Sequence, residues 1–275
     1  MQDKQINLEF DYKFIPAKKE KKGTILFIHG FCVDYKYFVC DQQVAEHYDF
    51  YALNLPGHGQ KNKVQPIKQA MKSSFNFDYM SDYVIKFIEE MKLNDIYLIG
   101  HSMGGAIVSL VAIKMPAKIK KLVLVSPMNF ASLYTGIIFL TKFFPKKMAA
   151  KLKLLKYLYK DVSLYINNKE WMKMNEDQLK FQLDNYKQMK YLGKKVMSSL
   201  STLSKVHKAQ KQLKDENTML MLGVCDGIVP YKQTKRNFEK HHPNMKIVTF
   251  DNSGHLCFEE ETEKFVEELY NFLAK

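Results

Sequence analysis

Gly100-His101-Ser102-Met103-Gly104 follows the apolar run Ile96-Tyr97-Leu98-Ile99 and leads into Gly105-Ala106-Ile107-Val108-Ser109-Leu110-Val111-Ala112-Ile113. The first run has the length of a buried strand, the second that of a buried helix. A serine between glycines at a strand-to-helix turn sits on a sharp, strained backbone, and side-chain-free neighbours let strand and helix pack closely. The same five residues also occur in ordinary Gly-Ser turns. Here the strand before and the helix after favour an exposed serine nucleophile.

Outward from this turn, strand and helix signals alternate. Ile6 to Phe14 alternates loosely, as a half-exposed edge strand does, while Gly23 to Gly30 and Phe50 to Leu55 are continuous apolar runs that end in turns. Phe77 to Met91 has helical spacing, and Leu122 to Val125 is a further strand before Ser126-Pro127. Strand text resumes at Thr218 to Gly223 and Lys246 to Phe250, with helices over Tyr231 to Lys240 and around Phe265 to Leu273. This pattern predicts an α/β fold with a mostly parallel sheet covered by helices on both faces. Between Met128 and Leu213 no strand is legible, only lysine-rich amphipathic helical text. The expected division is therefore a core of residues 1–127 and 214–275 with an all-helical insertion at 128–213.

Composition narrows the class. With 275 residues, 46% of them hydrophobic, the chain supports a large core and is not a disordered sequence. The polar N-terminus carries no signal-peptide pattern, and no run approaches the roughly 18–20 apolar residues of a membrane span. The longest candidate, Ile137 to Leu140, is cut by Lys142 and Pro145. Cys32, Cys40, Cys225 and Cys257 form no C-x-x-C pair, which excludes a zinc-knuckle pattern and leaves reduced thiols, as small buried hydrophobes, in a cytoplasmic setting. The net charge is +13, and residues 142–214, with 18 lysines against five acidic residues, account for all of it. Arg236 is the sole arginine, which argues against nucleic-acid readout. The basic segment suits contact with anionic membrane, beside the plainer reading of a solvated lysine-rich face.

A serine hydroxyl needs a histidine to take its proton and a carboxylate to hold that histidine's tautomer. In a parallel sheet these groups come from loops at the carboxyl ends of strands. Asp226, in Gly223-Val224-Cys225-Asp226-Gly227-Ile228-Val229-Pro230, follows one strand; His255, in Ser253-Gly254-His255, follows the last. Asp251 and Asp215 are the alternative acids, the first too close along the loop and the second at the wrong end of its strand. The expected oxyanion donors are the backbone N–H groups of Met103, at a helix N-terminus, and Phe31, in His29-Gly30-Phe31. His29 is expected to brace that loop.

With these residues in view, the chain resembles the α/β-hydrolase fold superfamily. It resembles the branch of monoacylglycerol lipases, lysophospholipases and related serine carboxylesterases. The matching pieces are His29-Gly30-Phe31, Asn54-Leu55-Pro56-Gly57-His58-Gly59, Gly100 to Gly105, Gly223 to Asp226 with Val229-Pro230, and Gly254-His255. Asn54, where relatives commonly carry Asp, and Gln60 are departures. The resemblance implies that residues 128–213 form a cap, or lid, over the active site. It also implies an esterase or lipase with the triad Ser102, Asp226 and His255, acting on a small ester with an apolar acyl group and needing no cofactor or metal. The alternatives are a proline iminopeptidase-like peptidase, for which a cap with so few acids has the wrong charge, and a non-catalytic binding relative.

Overall fold

The computed structural model describes residues 10–59, 76–133 and 144–275. Its strands are β1 (Tyr12–Ile15), β2 (Gly23–Ile28), β3 (Tyr48–Leu53), β4 (Ile96–His101), β5 (Ile119–Val125), β6 (Thr218–Gly223) and β7 (Lys246–Phe250). They form one sheet in the order β1-β3-β2-β4-β5-β6-β7. Only β1 runs antiparallel, against β3; every other pairing is parallel. The edge strand begins at Tyr12, with Phe10 and Asp11 outside it; Ile6 and Leu8 lie outside the described residues, as do Gln60 and the 137–140 run.

The apolar runs are continuous because the sheet is buried on both faces. Leu26, Ile28, Leu98, Leu122, Leu124, Leu220 and Leu222 enter one core cluster. Their alternates Ile25, Phe27, Tyr97, Ile99, Val123, Val125, Met219 and Met221 enter the other. The first cluster is closed by α1 (Phe77–Glu90), capped by Asn76 at the Tyr79 N–H (2.8 Å), and by α2 (Met103–Lys114). α2 is apolar on nearly all sides, as a helix between a sheet and other helices must be. The remaining described α-helices longer than one turn are α3 (Met148–Leu155), α4 (Lys169–Asp184), α5 (Tyr186–Tyr191), α6 (Leu200–Gln210), α7 (Tyr231–His241) and α8 (Thr262–Leu273). Phe265, Leu269, Phe272 and Leu273 of α8 close the second face.

Between β5 and β6 the described residues form helices and turns and no strand. This segment does not stand clear of the sheet. A π-helical turn, Leu192–Met197, and α6 supply Leu192, Val196, Leu203 and Val206 to the cluster that holds α2. α3 and α4 contribute Leu155 and Trp171 to the opposite cluster. No described helix is long and apolar enough to cross a membrane.

In sheet order β2 lies between β3 and β4. The chain leaves β2 to one side and later returns on the other. Such a reversal opens a crevice at the strands' carboxyl ends, where residues 29–31 and 102 lie.

Candidate active site

Ser102 closes β4 with φ +55° and ψ −118° and is the residue before α2. Its backbone is over-determined: its N–H donates to the Val125 carbonyl (3.0 Å), and its carbonyl accepts from Met128 (2.8 Å) and Ala106 (3.3 Å). Such bracing holds a non-glycine residue at positive φ. The turn also requires close approach. A Cβ on Gly104 would lie 2.3 Å from the Ile28 carbonyl oxygen and 2.5 Å from that of His29. Gly104→Ala is therefore expected to lower stability by about 1–3 kcal/mol. The check is the urea midpoint at constant slope; a midpoint equal to the native value would show that the 28–29 backbone yields at no cost.

That approach seats the start of α2 beside the loop after β2. Met103 is the first residue of α2, so its N–H has no partner within the helix. Among the described residues, neither the Met103 nor the Phe31 amide makes a hydrogen bond. The loop itself is held tightly. Gly30 N–H donates to the Tyr37 hydroxyl (3.1 Å), and Cys32, at φ +61°, donates its N–H to His58 Nε2 (3.3 Å). His29 is fully buried; its Nε2 accepts from Leu55 N–H (3.0 Å) and its Nδ1 donates to the Gly30 carbonyl (2.7 Å). Burial draws His29 down to about 4, so it is a neutral brace between two loops.

Asp226 and His255 are brought together from the ends of β6 and β7. His255 Nδ1 lies 2.7 Å from Asp226 Oδ2, and both residues are buried. Asp226 Oδ1 accepts from the N–H groups of Ile228 and Val229, each at 2.8 Å. The carboxylate is thereby aimed, and a proton on His255 Nδ1 leaves Nε2 as an acceptor. The two loops are joined by Cys225 N–H to the Ser253 carbonyl (2.9 Å), and His255 N–H donates to the Leu158 carbonyl (2.6 Å). A Cβ at Gly223 would stand 1.8 Å from the Gly254 carbonyl oxygen, so the close seam between them requires glycine. The other two acids are elsewhere. Asp251 is exposed, and Asp215 binds His242 Nδ1 (2.7 Å) and Asn244 N–H (3.0 Å) at the amino end of β6.

Tyr37 and His101 are parts of the site that sequence reasoning does not find. His101 Nε2 donates to the His255 carbonyl (2.9 Å), and its Nδ1 meets the Tyr37 hydroxyl. Burial, reinforced by His255, holds His101 well below the usual imidazole range, so it is neutral with Nδ1 as acceptor. A continuous chain follows, from Gly30 N–H to Tyr37 O–H to His101 and on to the His255 carbonyl. It ties together the loops after β2, β4 and β7. No sequence signal connects Tyr37 with a residue 64 positions away.

Ser102, His255 and Phe31 line a cavity of about 150 Å³. Its walls are apolar side chains such as Leu154, Leu158 and Met197, interrupted by Lys151, Asn175, Gln178 and Gln182 from α3 and α4 and by Glu259. Glu259 accepts from the Tyr159 hydroxyl (2.8 Å), which in turn accepts from Trp171 Nε1 (3.0 Å), and burial pushes Glu259 up to about 7. Among the described residues no group of three His, Cys, Asp or Glu could hold a metal. The cysteines divide: Cys40 and Cys257 are buried, as expected, whereas Cys32 is half-buried and Cys225 exposed. Asn54 accepts from Tyr35 N–H (2.8 Å) and donates to Asp11 (3.1 Å), so it ties loops together.

Known proteins share this architecture. The chain is 29% identical over 269 residues to a Mycoplasma pneumoniae protein named "Putative esterase/lipase 3", covering 94% of this chain and 90% of that one. A Mycoplasma genitalium relative, "Putative esterase/lipase 2", is 26% identical over 277 residues, covering 97% and 95%. Among solved structures, an esterase from Exiguobacterium antarcticum superposes with a TM-score of 0.73 at 16% identity, covering 97% of this chain and 96% of that one. A family model described as the alpha/beta hydrolase fold matches residues 23–262. The sheet order, the strained turn at Ser102 and this match across most of the chain agree: the protein belongs to the α/β-hydrolase fold family.

Proposed function

We propose that the protein is a serine hydrolase of small carboxylic esters, with Ser102 as nucleophile, His255 as general base and Asp226 as its orienting acid. The observation that carries this reading is the aimed Asp226–His255 pair, opening on the cavity that Ser102 also lines. Ser102 Oγ attacks the acyl carbon as its proton passes to His255 Nε2. The uncommitted N–H groups of Phe31 and Met103 receive the oxyanion. The imidazolium protonates the departing alcohol, and a water deprotonated by the same nitrogen releases the acid. Helices α3 and α4 supply cavity walls, which supports the reading of residues 128–213 as a cap that selects substrate. A peptidase that holds a free α-amino group is disfavoured by Lys151 in the wall, and Glu259 is already engaged by Tyr159.

Cavity size supports a short acyl group. A cavity near 150 Å³ has room for a molecule of about benzene's bulk. Over a p-nitrophenyl ester series, kcat/KM is expected to peak at about four to six acyl carbons and to fall about tenfold or more by twelve. A maximum at long chains would overturn the short-acyl assignment. Turnover of amino-acid naphthylamides without turnover of any ester would overturn the esterase reading itself.

A further inference from the structure

Of the described lysines between residues 144 and 214, Lys151 alone is buried; nearly all the others are solvent-exposed. It is 6% exposed, on α3, and its Nζ donates to the Asn175 carbonyl (2.7 Å) and Gln178 Oε1 (3.1 Å). An ammonium has three donors, so these two contacts leave one N–H and the whole charge uncompensated. Among the described residues no carboxylate pairs with it. Gln182, one turn beyond Gln178 on α4, is 6% exposed, and its side chain makes no hydrogen bond to another described residue. All of these groups line the cavity that holds Ser102 and His255.

A tie between α3 and α4 alone would not need a cation. Two neutral hydrogen bonds would serve, without the cost of desolvating a charge. We propose that Lys151, with the amides of Gln178 and Gln182, binds an oxyanion carried on the acyl part of the substrate. The preferred esters would then be short acyl esters ending in a carboxylate or phosphate. This rests on the esterase reading above. The acyl part is chosen because it stays in the cavity through both acylation and deacylation, so a contact to it serves both steps. Burial draws Lys151 down to about 7, and an oxyanion against it would favour the ammonium form.

The test uses three chain-matched p-nitrophenyl esters: pentanoate, hemiglutarate and 4-phosphonobutyrate. For the native protein, kcat/KM on at least one anionic ester is expected to exceed that on pentanoate by about tenfold. Whichever anion is preferred identifies carboxylate or phosphate as the ligand. Lys151→Met is expected to reduce that anionic-to-neutral ratio by about tenfold. A native ratio of one or below overturns the proposal, as does a ratio unchanged in Lys151→Met, which is what a purely structural tie between the helices predicts. Should Lys151→Met fail to fold, the native protein still decides. Free glutarate or butylphosphonate should compete with the pentanoate ester where pentanamide does not, and equal inhibition by all three sinks the idea. Ser102→Ala separates the two readings. If it abolishes turnover while the native ratio is near one, only the anion site falls. If turnover survives, the mechanism falls, and competition by glutarate or butylphosphonate judges the anion site alone.

Discussion

Ser102→Ala is expected to reduce ester kcat/KM by about four to six orders of magnitude while leaving the fold intact. The nucleophile is lost outright, and no neighbouring hydroxyl shares its place at the end of β4. The turn should survive, because the bonds that hold it are all from the Ser102 backbone, to Val125, Met128 and Ala106. The Ser102 side chain makes no capping hydrogen bond to α2, and alanine at φ +55° meets nearly the same backbone strain as serine. The thermal midpoint should therefore stay within about 4 °C of the native value. A fluorophosphonate should label the native protein once per chain and the variant not at all. Turnover or labelling that persists in Ser102→Ala would remove Ser102 from the mechanism.

Asp226→Asn is expected to cost about 10⁴-fold in kcat with little change in stability. The geometry specifies how. Oδ1 of Asp226 accepts two backbone N–H groups, from Ile228 and Val229 at 2.8 Å each. An asparagine keeps its carbonyl oxygen there, since the reverse orientation would face an amide NH₂ against two donors. Its NH₂ then points at His255 Nδ1, where Oδ2 stands at 2.7 Å in the native site. Nδ1 must become the acceptor, so the ring proton moves to Nε2, the atom that should receive the Ser102 proton. The loop remains bonded and the chemistry stops. Nitrogen NMR of the His255 ring should report protonation at Nε2 in the variant. A kcat within about tenfold of native would mean that another group orients His255.

Most of the fold was legible because its signals are local. The runs Thr218 to Gly223 and Lys246 to Phe250 became β6 and β7 with unchanged ends, and Gly23 to Gly30 became β2 less its last two residues, which form the turn. Their continuous apolar character comes from burial on two faces, which needs no knowledge of partners. The three side chains and two amides proposed for catalysis could be placed from sequence for a related reason: each lies within a few residues of a strand's carboxyl end, and strand ends in a parallel sheet share one edge. What joins those strand ends was not legible. The chain from Gly30 through Tyr37 and His101 to His255 joins four residues from three separate strand-end regions. Its hydrogen bonds exist only once the chain is folded. Lys151 was hidden in another way. Among 18 lysines between residues 142 and 214, nothing in sequence marks the one that turns inward, because whether a lysine faces water or a cavity depends on which helix covers it.

The amino-acid sequence alone therefore determined the sheet, the turn that carries Ser102 and the placing of Asp226 and His255 after later strands, since apolar periodicity and turn chemistry act over a few residues. Tertiary structure alone decided what surrounds Ser102: a neutral His101 braced by Tyr37, and a cavity whose apolar wall is broken by polar groups, among them the buried Lys151 amine. Those features depend on side chains meeting across long separations in a medium that water does not screen, and no local pattern records that meeting.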